Sequence, residues 1–344
     1  MKKFVKILLF ALLSFVLAAC GDESSETNGD EQGSGDTGET YEWNIGFNTT
    51  EDSVRGVAAE TFKEIVEEET GGRVSISIYA GETLGSEAEM LEQVNSGALA
   101  MQLAGGGGMQ NYIPEYSVLA LPFMVENFDE AYAVLDGEIG DELQGLAEEQ
   151  GFKVLAHTDL GFAQITNNVG PINKPEDLAG VQIRSPEEPT SIEAFSQLGA
   201  SVSTMAFTEV YMGLQQGVID GQFNPLDAIY ENNIHEVQDY LTLTNHFYYH
   251  VNFIMNDDLF NSLDSELQEV VLSAAEEAQQ ASREYTQQMD EEMLSTLEGE
   301  FEEIVTDPEL GAFQNAIDYE AFHEFVGEDI IVQTQEFLDD YRGN

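Results

Sequence analysis

Cysteine occurs once in the 344 residues, at Cys20, so the monomer can form no disulfide and has no cysteine-based metal site. Positive charge is almost as scarce: 11 Lys and Arg stand against 66 Asp and Glu, a formal net charge of −55. Such a surface repels nucleic acid and anionic lipid headgroups. Catalytic signatures are missing as well. No serine sits in a G-x-S-x-G frame, and the five histidines show no H-E-x-x-H spacing. The glycine run 105–108 follows a predicted strand, but no Lys-Ser or Lys-Thr comes after it, which excludes a P-loop. No D-x-D-x-D-G loop accounts for the acidity as divalent-cation binding. Self-repulsion on this scale needs screening, and at ~1 M salt the screening length falls to ~3 Å, so the composition points to a salt-loving organism.

What is present begins with Lys2, Lys3 and Lys6, an apolar run from Ile7 to Leu17, and Leu17-Ala18-Ala19-Cys20. This is a secretory signal peptide over residues 1–20, its apolar run too short for a comfortable transmembrane span. Leu-Ala-Ala-Cys resembles a bacterial lipobox. Cys20 would then carry a diacylglycerol and an acylated amine, giving the two or more chains that stable anchoring requires. An ordinary signal peptide with an incidental cysteine is the alternative. Residues 21–40 lack large apolar side chains and read as a flexible acidic linker. With the three signal-peptide lysines gone, 8 basic residues face the 66 acids, a formal charge of −58.

From Tyr41 onward strand and helix patterns alternate. Tyr41 to Phe47 alternates like a strand, the segment 51–69 places Val54, Val57, Ala58, Phe62, Ile65 and Val66 on one helical face, and VSISIY at 74–79 alternates again. A helix near 86–95 and a strand near 98–104 complete a β-α-β-α-β unit, the pattern of a parallel sheet covered by helices. A second unit begins near Gly161, with strands near 164–166, 181–184, 202 and 218–223. The stretch LTLTNHFYYHVNFIMN then crosses back toward the first unit. Leu267, Val270, Val271, Ala274, Ala278, Tyr285, Met289, Met293 and Leu297 recur at helical spacing over about 264–299, roughly 50 Å of helix. The expected fold is α/β, a two-lobe clamshell with a long helix bracing both lobes. The expected lobes are 41–161 plus about 250–290, and 162–249 plus about 291–344. Ligands in such folds sit at strand ends in the crevice between lobes.

Arg184 ends a predicted strand of the second lobe, just before Ser185-Pro186. The other mature basic residues fall on helix faces or at strand starts, where exposure is expected. A guanidinium is a two-pronged donor matched to a carboxylate and stays charged at physiological pH, so Arg184 is a candidate anion seat. An internal ion pair with one of the many acids is the alternative. His246 and His250, four apart, share a face in either a helix or a strand and stand as a candidate zinc pair. The glycine run reads either as a close backbone approach to a ligand or as a plain turn.

The stretches PINKPEDLAGVQIRSP and LGASVSTMAFTEVYMGLQQGVIDGQFNPL resemble the extracytoplasmic solute-binding subunits of tripartite ATP-independent periplasmic (TRAP) transporters, the DctP-like family. GGRVSISIYAGETLGSEAEMLEQVNSGALAM and IPEYSVLALPFM extend the likeness over nearly the whole mature chain. The resemblance implies a periplasmic-binding-protein clamshell that closes on a small organic carboxylate and delivers it to a permease of one small and one large membrane subunit. It implies no enzyme activity and no cofactor, and transport driven by an ion gradient. It assigns the ligand carboxylate to Arg184, with help from the Asn224 amide, and ligand packing to Phe207. A polar contact from the first lobe falls to Asn48. A monomer, lipid-anchored on the outer face of the cytoplasmic membrane, is expected.

Three positions depart from the family pattern. Gln164 stands where many members have a second arginine, Gly105 where several have an acid, and Phe223 where G-Q-E-N has glutamate. The first argues against a dicarboxylate held at that end; the other two suggest a larger or more apolar ligand. Likeness to some 2-oxo-acid-binding members would also allow a bridging metal. Two other roles fit the same cleft. A ligand-sensing protein would present its closed form to a membrane receptor, and an enzyme of clamshell fold would need a convergent acid, base or nucleophile that the sequence does not display. Glu209 and Tyr211 read as helix-capping and packing residues.

Overall fold

The computed structural model describes residues 39–343. The signal peptide, Cys20 and the linker up to residue 38 lie outside the described residues. The chain from Glu39 on forms one compact unit built on two sheets. Strands β1 (Tyr41–Gly46), β2 (Val74–Tyr79), β3 (Met101–Gly105), β4 (Phe152–Phe162) and β10 (Tyr248–Asn256) make the first sheet, in the order β2-β1-β3-β10-β4. Strands β5 (Gln164–Asn167), β6 (Gln182–Ser185), β7 (Ser201–Thr204), β8 (Gly221–Asn224), β9 (Tyr240–Thr242) and β11 (Glu303–Val305) make the second, in the order β11-β9-β5-β8-β6-β7.

The sheets are mixed rather than purely parallel. β1 runs parallel to β2 and β3, but β10 is antiparallel to β3 and β4, and β5 is antiparallel to β8 and β9. The cause lies in the connections. The chain passes from β4 straight into β5 through Ala163, and returns from β9 into β10 through residues 243–247, so each long strand continues from one sheet toward the other. The two passages lie side by side, with Ala163 N–H donating to Phe247 O at 2.9 Å.

Helices α1 (Val54–Glu69), α2 (Glu87–Asn95), α3 (Gly106–Met109), α4 (Phe128–Leu135) and α5 (Glu138–Glu149) accompany the first sheet, and α6 (Pro189–Gln197), α7 (Val210–Gln215) and α8 (Leu226–Glu231) the second. The remainder are α9 (Asp257–Ser262), α10 (Ser265–Leu297), α11 (Leu310–Asn315), α12 (His323–Val326) and α13 (Glu328–Arg342). Three of the caps follow directly from sequence. Ser53 accepts from Gly56 N–H, Ser86 and Glu89 form a reciprocal capping box, and the Asp264 carboxylate accepts from Leu267 N–H at 2.8 Å.

The 33-residue α10 packs on α1 and β4 of the first sheet and on α8 of the second, as a brace must. Its Ala274, Ala275 and Ala278 join Ala58, Ala59, Phe62 and Phe253 in one buried cluster, and Leu297 at its far end enters the core of the second lobe. α13, placed by sequence with the second lobe, instead packs against α4 and α5. Arg342 there grips Glu130 of α4 through two nitrogens, at 2.9 and 2.7 Å. No helix of the described residues is long and apolar enough to cross a membrane.

Candidate functional site

Strand ends from both sheets open into a cavity of about 540 Å³, within the ~300–1,000 Å³ of small-molecule sites. Its walls include Asn48, Arg55, Glu87 and Gly105 from the first lobe, and Arg184, Glu188, Phe207, Phe223 and Asn224 from the second. The lobes also meet beside it: the Thr208 hydroxyl donates to Glu82 at 3.1 Å.

Arg184 sits at the carboxyl end of β6, beside Ser203 of β7, and is 4% exposed. Its Nε and Nη2 both donate to Met205 O, at 3.1 and 2.8 Å, which fixes the guanidinium plane. The Phe207 ring lies 5.8 Å from its central carbon. Burial pushes its pKa down to about 10, against the pull of Glu188, Tyr249, Glu87 and Glu82. Arg184 makes no ion pair with an acid among the described residues. The internal-pair alternative therefore has no support here.

Asn224 ends β8 with its side-chain nitrogen donating to Gln222 Oε1. Phe223, 1% exposed, stacks on Phe195 at 4.7 Å and stands edge-on to His246. It is a wall anchored in the core. Gln164 pairs with Asn224 across β5 and β8, yet it does not line the cavity. Its amide is used up at the crossing between lobes, donating to Phe162 O and Asn245 Oδ1 and accepting from Asn245 N–H. A glutamine here ties the two passages together instead of facing a ligand.

The first-lobe side of the cavity holds a group that sequence spacing hid. Arg55, expected to be exposed on a helix face, is 4% exposed in the first turn of α1. Its Nη1 donates to Asn48 Oδ1, and its Nη2 stands 3.5 Å from Glu87 Oε1. Glu87 also accepts from Asn48 Nδ2 at 3.0 Å and from Gly105 N–H at 2.5 Å. Burial lowers the pKa of Arg55 and Glu87 opposes the shift. The charge absent at Gly105 is thus supplied by Glu87, and a Cβ on Gly105 would stand 3.1 Å from Arg55 Nη2. This polar floor replaces the expectation of a more apolar ligand. Glu209, read as a capping residue, also lines the cavity, whereas Tyr211 donates outward to Glu236.

The glycine run is the end of β3 plus the turn α3. A Cβ on Gly106 would overlap the His250 ring, and one on Gly107 would overlap the Glu188 carboxylate. His246 and His250 engage different neighbours. His246 Nδ1 lies 2.6 Å from the Thr244 hydroxyl and its ring packs on Phe195 and Phe223, while His250 packs near His157 and Tyr116. No cluster of three or more His, Cys, Asp or Glu among the described residues could hold a metal ion. A guanidinium with no acid partner among the described residues, amides and carboxylates that can accept from hydroxyls converge here, which suits an organic anion bearing hydroxyl groups.

Residues 45–325 match the family model described as bacterial extracellular solute-binding protein, family 7. Over 282 residues the chain is 30% identical to the 2,3-diketo-L-gulonate-binding periplasmic protein YiaO of Escherichia coli, covering 82% of this chain and 86% of that one. A TRAP periplasmic solute-binding protein from Polaromonas, solved with D-erythronate, superposes with a TM-score of 0.82 at 30% identity over 86% of this chain and 98% of that one. The sugar-acid-binding protein DctPAm of Advenella mimigardefordensis, solved with galactonate, gives 0.85 at 26% identity over 88% and 99%.

Proposed function

The chain belongs to family 7 of the bacterial extracellular solute-binding proteins, the DctP family of TRAP transporters, and from that premise we propose that it captures a polyhydroxy monocarboxylate and delivers it to a TRAP permease. The family binds small organic acids, and the relatives are solute-binding proteins rather than enzymes.

The observation that carries the reading is the buried Arg184 guanidinium, clamped by Met205 O and unpaired with any acid among the described residues, on the wall of the cavity. A cation held this way in a strongly acidic protein attracts a carboxylate and repays its own desolvation on binding it. The second buried arginine is not available for a second carboxylate, because Asn48 and Glu87 already occupy Arg55. Glu82, Glu87 and Glu209 accept hydrogen bonds and repel anions, so the far end of the ligand carries hydroxyls. The D-erythronate and galactonate of the relatives fit that description.

A thermal-shift screen of sugar acids, dicarboxylates and neutral sugars tests it. A ligand at 100 times its dissociation constant adds ~2.7 kcal/mol of stability. Arg184→Ala should weaken the responding acid by roughly 2–5 kcal/mol with the fold retained. A response confined to neutral sugars, or an affinity unchanged by the substitution, overturns the assignment.

Anchoring through Cys20 is proposed from the Leu-Ala-Ala-Cys sequence alone. Labelled palmitate should enter the protein in its host and be lost in Cys20→Ser; equal labelling of both refutes the anchor.

A further inference from the structure

Glu188 stands beside the anion seat without serving it. It occupies the position that would cap α6, yet its side chain makes no capping bond to the helix backbone. The Ser191 hydroxyl donates to its Oε2 at 2.8 Å, and the Tyr249 hydroxyl lies 3.5 Å from the same oxygen. Its Oε1 lies over the Gly107 backbone, where a side chain on residue 107 would overlap it. Ser191 belongs to α6 of the second lobe, whereas Tyr249 and Gly107 belong to β10 and α3 of the first. Glu188 is therefore enclosed from both lobes, and it lines the cavity that Arg184 lines.

The charges that face it are Arg184 from β6, Glu87 from α2 and, when ionised, Tyr249 from β10. Glu187 beside it and Glu82 near Arg184 line the same space. One guanidinium thus lies among several carboxylates and is paired with none of them. A ligand carboxylate on Arg184 adds one more negative charge at close quarters, and like charges in a shared site cannot all stay ionised.

We propose that Glu188 is the proton-binding residue of the site, so that capture of a carboxylate at Arg184 takes up one proton and Glu188 then donates a hydrogen bond into the cavity. The proposal rests on the reading of Arg184 as the carboxylate seat. Burial already lifts the Glu188 pKa to about 7, with Glu87 adding to the rise and Ser191 and Arg184 opposing it. With Oε2 facing both hydroxyls, Oε1 is the oxygen that carries the proton. The sign follows from linkage: the bound form holds more protons than the free form, so affinity rises as pH falls. Below the pKa of the empty protein Kd is level; above it Kd weakens by at most tenfold per pH unit.

The test is isothermal titration calorimetry with D-erythronate and D-galactonate at pH 5.5 and 8, each in two buffers of different ionisation enthalpy. The wild-type protein should take up close to one proton at pH 8 and close to none at pH 5.5. Its Kd should weaken about tenfold between pH 7.5 and 8.5. Glu188→Gln keeps the shape and should remove both the uptake and the slope. Tight binding without proton uptake at pH 8 overturns the proposal, as does unchanged uptake in Glu188→Gln, which would assign the proton elsewhere. If neither acid binds the wild type at any pH, the carboxylate reading of the cavity falls first and the proton proposal goes with it. The wild-type measurement stands even if the variant folds poorly.

Discussion

Two buried arginines flank the cavity, and only one was visible in the sequence. Arg184 was legible because strand pattern, position and the following Ser-Pro all placed it at a crevice. Arg55 was not, because its partners Asn48 and Glu87 lie 7 and 32 residues away and nothing local marks their meeting. The two should respond differently to removal. Arg184 has no acid to strand, so its loss falls on ligand binding. Arg55→Ala leaves Glu87 without its cation. Breaking a fully buried pair costs ~3–5 kcal/mol; Glu87 is 26% exposed, so a loss of about 2 kcal/mol is expected. Urea unfolding of the ligand-free protein measures it, and an unchanged midpoint would mean that water replaces the guanidinium at no cost.

At the scale of elements, the helices were more legible than the strands. The pattern placed the long helix at about 264–299, and α10 spans Ser265–Leu297 with Asp264 as its cap. The helix read near 86–95 is α2, Glu87–Asn95, with Ser86 as its cap. Periodicity reports which face of an element is buried, and that is sufficient for a helix. It says nothing of strand direction, so the antiparallel β10 within the first sheet went unread. The small residues of α10 have a specific use. Ala274, Ala275 and Ala278 share a closed cluster with Ala58 and Ala59 of α1, all at 0% exposure. Ala278→Leu must force the two helices apart and should cost about 1–3 kcal/mol. Thermal unfolding tests this, and a neutral result would reveal slack that the packing does not show.

For the whole molecule, buried acids set the response to pH. Burial is the leading cause in each case: it raises Asp159 to about 6, Asp227 to about 7 and Glu231 to about 8. A carboxyl whose folded pKa exceeds its unfolded value contributes stability that is complete below the unfolded pKa and is lost as pH rises through the folded one. The buried His157, His246 and His250 act in the opposite sense. Burial depresses them to about 4, 3 and 3, so the unfolded chain binds more protons below about pH 6.5. On the acid side the two sets oppose each other; above pH 6.5 only the acids remain. The melting temperature of the ligand-free protein should therefore fall from pH 6.5 to 8.5, with a shallower fall in Glu231→Gln. A level profile in the wild type would contradict the burial of these acids.

The sequence by itself determined the two-lobe α/β plan, the bracing helix, the family and the placing of Arg184 at a strand end, because each is written in local periodicity, capping residues or contiguous motifs. Only the tertiary structure decided what Arg184 faces. It also moved Gln164 from the ligand to the crossing strands, buried Arg55 against Glu87, and set the Glu188 carboxylate against the backbone of Gly107. Those are meetings of residues far apart in the chain, and their energies depend on distance and burial, which exist only once the chain has folded.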